Sequence, residues 1–172
     1  MPFFMNIFIS GRPGCGKSTL IAELIKELQK KGKKIAGIIT PEVRKQGERE
    51  AFLIKDIASN KQEILASVNI KSRCRVSKYG VNIEGIDKIV NKFLENFDSA
   101  GYIFIDELGK MEMFSKKFKI MLEKILNSKK IMIVTLHRAF IKQYKDKGKF
   151  FWLEKNKAEK VKADILKEIK ER

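Results

Sequence analysis

Cysteine and histidine are scarce in this chain: Cys15, Cys74 and His137 are the only ones in 172 residues. Two cysteines fit neither a disulfide framework nor a zinc site, and a lone histidine supplies no second ligand. An intracellular, reducing environment is the expectation. No apolar run approaches the roughly 18 residues of a membrane span. The N-terminus lacks the basic region, long apolar core and cleavage site of a signal peptide. A soluble, cytoplasmic protein without a membrane partner is therefore expected. Internal repeats and low-complexity linkers are absent too, so residues 1–172 are expected to form one domain, large enough for a sheet covered by helices.

Arginine is also sparse. Lysine supplies 30 of the 37 basic residues behind the formal charge of +16, and they are spread along the whole chain. Nucleic-acid binding usually needs a clustered stripe with arginine and aromatic residues interleaved, and no segment has that character. The densest cluster, Gln29-Lys30-Lys31-Gly32-Lys33-Lys34, sits where a helix ends, and cations there complement the helix dipole. Weak, salt-sensitive polyanion binding stays open; a monomer is expected.

What is present is decisive. An apolar strand starting at Phe3 runs into Gly11-Arg12-Pro13-Gly14-Cys15-Gly16-Lys17-Ser18, the G-x-x-x-x-G-K-[ST] phosphate-binding loop. Its glycines let successive backbone N–H groups point into one concavity, and a helix from Lys17 adds its unpaired N–H groups and positive dipole end. Lys17 can reach the β- and γ-phosphates, Ser18 can ligate Mg²⁺, and Thr19 can bond the α-phosphate. The ligand class is a nucleoside triphosphate with Mg²⁺.

Helical periodicity predicts a helix from Lys17 to Lys31, stopped by Gly32, with a strand at Ile35–Thr40 closed by Pro41. That unit forms a right-handed parallel crossover. Between about 42 and 82 the pattern changes to short alternating runs with turns, read as an antiparallel meander or hairpin inserted at the sheet edge. Helices follow at 84–97 and from Phe114 to Leu126, buried strands at Tyr102–Ile105 and Ile131–Leu136, a weak final strand at Phe150–Leu153, and a C-terminal helix through Ala158 and Ile169.

The Tyr102–Ile105 strand ends in Asp106-Glu107, at the carboxyl end where α/β sheets face their ligands. Asp106 is placed to hold Mg²⁺ opposite Ser18, and Glu107 to orient or deprotonate the attacking water. The pair resembles the P-loop ATPases that carry an added glutamate. The expected fold is α/β: a three-layer P-loop NTPase of the RecA-like, additional-glutamate type, with a mostly parallel central sheet and an inserted antiparallel β segment. That class places a strand between the phosphate-loop strand and the acidic one, and Ile131–Val134 is the candidate. Thr135 at its end then reads either as a sensor of the attacking water or as an ordinary strand-end threonine. Arg138 reads either as a stabiliser of transition-state charge or as a surface arginine.

Three blocks carry a closer resemblance. Asp106-Glu107-Leu108-Gly109-Lys110-Met111-Glu112-Met113-Phe114-Ser115 resembles the signature of the P-loop nucleoside-triphosphatases first known from thermophiles, whose animal member is called cancer-related nucleoside-triphosphatase. Thr40-Pro41-Glu42-Val43-Arg44 with Gly47, Arg49 and Phe52 is similar to that family's stretch after the second strand, and Cys74-Arg75-Val76 with Tyr79 and Val81 to its later antiparallel segment. Ala51 and Ser77 stand where the family often has glycine. The resemblance implies Mg²⁺-dependent hydrolysis of several nucleoside triphosphates (ATP, GTP and others) to diphosphate and phosphate. It puts Leu108, Gly109 and Lys110 at the nucleotide with Asp106 and Glu107, and makes Arg44 and Lys110 candidate phosphate or acid partners, salt bridging being the alternative. Glu112 is expected to be structural, pairing with Lys110 or Arg44.

Two other readings remain open: a small-molecule or nucleotide kinase, and a nucleotide-dependent switch that binds nucleic acid. A kinase fits less well, because only seven arginines, dispersed, are available for an acceptor site or lid. No guanine-reading N-K-x-D box occurs, so base contacts are expected from stacking and backbone groups near the final strand.

Overall fold

The computed structural model describes residues 5–170, so the predicted strand start at Phe3 and Phe4 lies outside the described residues. Among the described residues a ten-stranded sheet forms, in the order β10-β1-β9-β8-β2-β4-β5-β7-β6, with β3 paired to β4. The strands are β1 (Asn6–Gly11), β2 (Ile35–Ile39), β3 (Glu42–Lys45), β4 (Glu48–Asp56), β5 (Gln62–Ser67), β6 (Arg75–Val76), β7 (Tyr79–Val81), β8 (Tyr102–Leu108), β9 (Ile131–Leu136) and β10 (Lys149–Leu153). β10, β1, β9, β8 and β2 run parallel, while β3 to β7 add an antiparallel extension on the β2 side.

Helices α1 (Lys17–Lys30), α2 (Ile83–Phe97), α3 (Lys116–Leu126), α4 (Ile141–Tyr144) and α5 (Ala158–Lys170) complete three layers. Strand alternation sorts the core. On β1, Ile7 and Ile9 pack with Leu20, Leu24 and Leu28 of α1 and Ile165 of α5, while Phe8 faces Ile89 and Phe93 of α2 and Phe118 of α3. β8 and β9 repeat the pattern: Phe104 and Ile133 face α1, and Ile103, Ile105, Met132 and Val134 face α2 and α3. Each such fully buried side chain contributes about 1.5–3 kcal/mol over its exposed state. Both faces of the parallel strands are covered, which is why their sequences read as continuous apolar runs.

The helix expected from Phe114 begins later. Glu112–Phe114 form a 3-10 turn, and Ser115 caps α3 by accepting from the Phe118 N–H at 3.0 Å. Apolar spacing runs through both elements, so periodicity alone did not separate them. α4 is only one turn long, too short for its own periodic signal.

Candidate functional site

The phosphate loop is built locally, with one tertiary condition. Gly14 and Gly16 adopt left-handed φ values of 74° and 101°, where a side chain would be strained. Gly16 caps α1 without any side-chain hydrogen bond, leaving first-turn N–H groups available to an anion. Gly11 is required for a different reason: a Cβ there would collide with the Leu153 carbonyl of β10 and with Cys15 Sγ. Lys17 folds back over the loop, its ammonium donating to the Gly11 and Arg12 carbonyls at 3.1 and 3.3 Å. Arg12, Pro13, Gly14, Ser18 and Thr19 are exposed, and Cys15, Gly16 and Lys17 partly so.

β9 lies between β1 and β8, so the acidic pair stands two strand spacings, about 10 Å, from the loop strand. At the end of β9 the Thr135 hydroxyl donates to Asp106 Oδ1 at 2.6 Å, both side chains being buried. The β8–β9 register shifts between Ile105 and Leu108, which releases the Asp106–Glu107 segment from regular pairing with β9, while Asp106 stays in register with Ile39 of β2. Thr40, at the end of β2, holds that segment: its N–H and hydroxyl both donate to the Asp106 carbonyl at 2.7 and 2.9 Å, and its Oγ1 accepts from the Glu107 N–H at 3.1 Å.

The electrostatics of Glu107 identify its neighbours. Burial pushes its carboxyl above the usual range, and Asp106 and Glu42 push the same way. The Lys17 ammonium and Arg49 guanidinium oppose them. The β3–β4 hairpin carries Glu42 and Arg49, which are paired to each other at 2.7 Å. Arg49 also stacks over the Phe52 ring at 5.4 Å. Arg44 is engaged elsewhere on this hairpin, bonded to Glu42 at 3.0 Å and to the Gly47 carbonyl at 3.0 Å. Arg138 is exposed on a 3-10 turn after β9.

Glu112 departs from expectation. It pairs with neither Lys110 nor Arg44: it is buried and accepts from the Gly109 N–H at 3.0 Å. Burial, with Glu107 and Asp106 nearby, pushes its carboxyl up to about 8, so it is neutral at pH 7. A charged Glu112 would add a third anion behind the acidic pair. Gly109 and Leu108 are buried beside it, while Lys110 is exposed. His137 is lowered by partial burial and by Lys110, Arg138 and Lys17, and its Nδ1 accepts from the Ala139 N–H at 3.1 Å, so a neutral imidazole flanks the site.

A family profile described as NTPase matches residues 6–166. The chain belongs to this nucleoside-triphosphatase family. Its curated relatives include the nucleoside-triphosphatase THEP1 of Methanocaldococcus jannaschii, 39% identical over 96% of this chain and 97% of that one. The namesake of Pyrococcus abyssi is 35% identical over 96% of this chain and 93% of its own. Among solved structures, THEP1 from Aquifex aeolicus superposes with a TM-score of 0.76 at 29% identity, covering 94% of this chain and 96% of that one. A human cancer-related nucleoside triphosphatase superposes at 0.78 and 26% identity, over 96% and 97%.

Within this family fold, Thr40, Arg49, Glu112 and His137 are site neighbours that residue chemistry alone did not single out. Thr40 carried one faint signal: like Thr135, it is a polar residue ending an apolar strand. Arg49 and Glu112 lie in the blocks that carry the family resemblance, but their place beside the acidic pair depends on the hairpin and on the turn after β8.

Proposed function

We propose that the chain acts as one monomeric catalytic domain that hydrolyses nucleoside triphosphates of broad base range to diphosphate and phosphate with Mg²⁺. The carrying observation is the order β1-β9-β8, which sets a phosphate nest, a bridging threonine and an acidic pair side by side at the carboxyl ends of three neighbouring strands. The loop N–H groups and Lys17 bind the β- and γ-phosphates. Ser18 and Asp106 offer only oxygen donors, a hard set that fits Mg²⁺, and Thr135 fixes the carboxylate orientation. When bound, the ion neutralises charge on the bridging phosphates.

Glu107 takes the proton of the attacking water. Burial raises its affinity for protons, which makes it a stronger base than an exposed carboxylate, while the Lys17 ammonium opposes that rise. Thr40 positions its backbone, and Arg49 balances the local negative charge.

The test is phosphate release from each triphosphate, with and without RNA or DNA. Glu107→Gln is expected to bind nucleotide normally and lose most turnover, and Lys17→Ala to weaken both. Unchanged release by the glutamine variant refutes the role of Glu107; dependence on an acceptor metabolite refutes hydrolysis in favour of a kinase.

A further inference from the structure

We infer that the pocket beside Trp152 is the nucleobase subsite, in which a base stacks on the indole while the phosphates occupy the loop; this rests on the hydrolase reading above. Sheet order fixes the polarity of a bound triphosphate. The groups that act on the γ-phosphate, Asp106 and Glu107, stand on β8, and the nest stands on β1. The nucleoside end must therefore project away from β8, towards β10, whose Trp152 and Leu153 pair with Ser10 and Gly11 at the loop's entrance. Adjacent strands are about 4.8 Å apart, so β10 is the first structure a nucleoside meets on that side.

A pocket of about 410 Å³ lies between the end of β10 and α5, lined by Phe151, Trp152, Glu154, Lys157, Lys160 and Asp164 among others. Its size matches small-ligand sites. Trp152 is the chain's only tryptophan and is 43% exposed. Among the described residues no ring stacks on it. An aromatic face left open beside a phosphate site is suited to a base, because stacking accepts any π-face and needs no base-specific hydrogen bond. Of the lining side chains, the Glu154 carboxylate can accept from base edges and the Lys157 ammonium can donate to them. This mixed pair selects no single base, so stacking area decides and purines rank above pyrimidines.

The sole tryptophan reports directly. With Mg²⁺, ATP and GTP are expected to change Trp152 emission on binding, whereas inorganic tripolyphosphate, which fills the nest without a base, leaves it unchanged. Trp152→Ala is expected to raise KM for ATP about tenfold with kcat within twofold, and to bring the purine-to-pyrimidine KM ratio close to one. Trp152→Phe, which keeps a ring, stays within about threefold of wild type and controls for folding. Saturating ATP with unmoved emission and an unaltered KM in the alanine variant would overturn the subsite alone. Failure of both ATP and tripolyphosphate to bind in a Lys17-dependent way would overturn the phosphate-loop reading, and the subsite with it.

Discussion

Glu112→Gln gives a sharp test of the electrostatics behind the acidic pair. In the native state the carboxyl holds its proton up to about 8, against 4.5 for an ordinary glutamate. Below the lower value the native and unfolded chains both carry the proton, and no difference arises. Between the two values the native state binds more protons than the unfolded state, so stability falls as pH rises. The separation is roughly three and a half units at about 1.4 kcal/mol each, so Glu112 costs about 4–5 kcal/mol in all, of which about 3–4 kcal/mol falls between about pH 5 and pH 8. Glutamine keeps the volume and the oxygen that accepts from the Gly109 N–H, but it cannot ionise. It introduces a buried amide donor, a penalty of about 1–3 kcal/mol. The variant is therefore expected to be less stable than wild type at pH 5 and more stable at pH 8, the two curves crossing between about pH 5 and pH 7. Urea unfolding at unit steps from pH 5 to pH 8 measures this, and groups common to both proteins cancel in the difference. A stability difference that does not change with pH would refute the reasoning.

Thr135→Val removes the 2.6 Å bond to Asp106 at nearly constant volume; the Mg²⁺ concentration for half-maximal activity is expected to rise about 10–100-fold, read by metal titration. Arg49→Ala removes a cation that holds the Glu107 carboxyl down, so the acid limb of the kcat/KM profile moves to higher pH, and Arg49→Lys restores part of the shift. Gly11→Ala drives a methyl into the Leu153 carbonyl; it is expected to cost about 1–3 kcal/mol in thermal or urea unfolding and to weaken nucleotide binding, because β1 must move from β10 to accommodate it.

The chain order of residues settled whatever depends on neighbours within about a turn or a strand. The left-handed glycines of the phosphate loop, the apolar face of α1 and the buried runs of β8 and β9 all follow from spacing that a reader of the sequence can count. Acidic residues ending a buried strand, and a threonine ending another, likewise announce themselves locally. Even so, spacing merged the 3-10 turn at Glu112–Phe114 with α3, since a helical apolar pattern is blind to a change of hydrogen-bond register.

The remainder is long-range and belonged to the tertiary structure. Asp106 and Thr135 are 29 residues apart, and only the placement of β9 between β1 and β8 turns two strand ends into one bonded pair. Thr40 reaches Glu107 across 67 residues through β2–β8 pairing, and Arg49 reaches it by way of an antiparallel hairpin. Whether Glu112 was a surface ion pair or a buried neutral acid turned on burial, which depends on everything packed around it and is not encoded in its near neighbours. Composition and motif thus determined which ligand class the chain can hold; packing decided which side chains face that ligand, because protonation and reach are properties of surroundings that only the folded chain assembles.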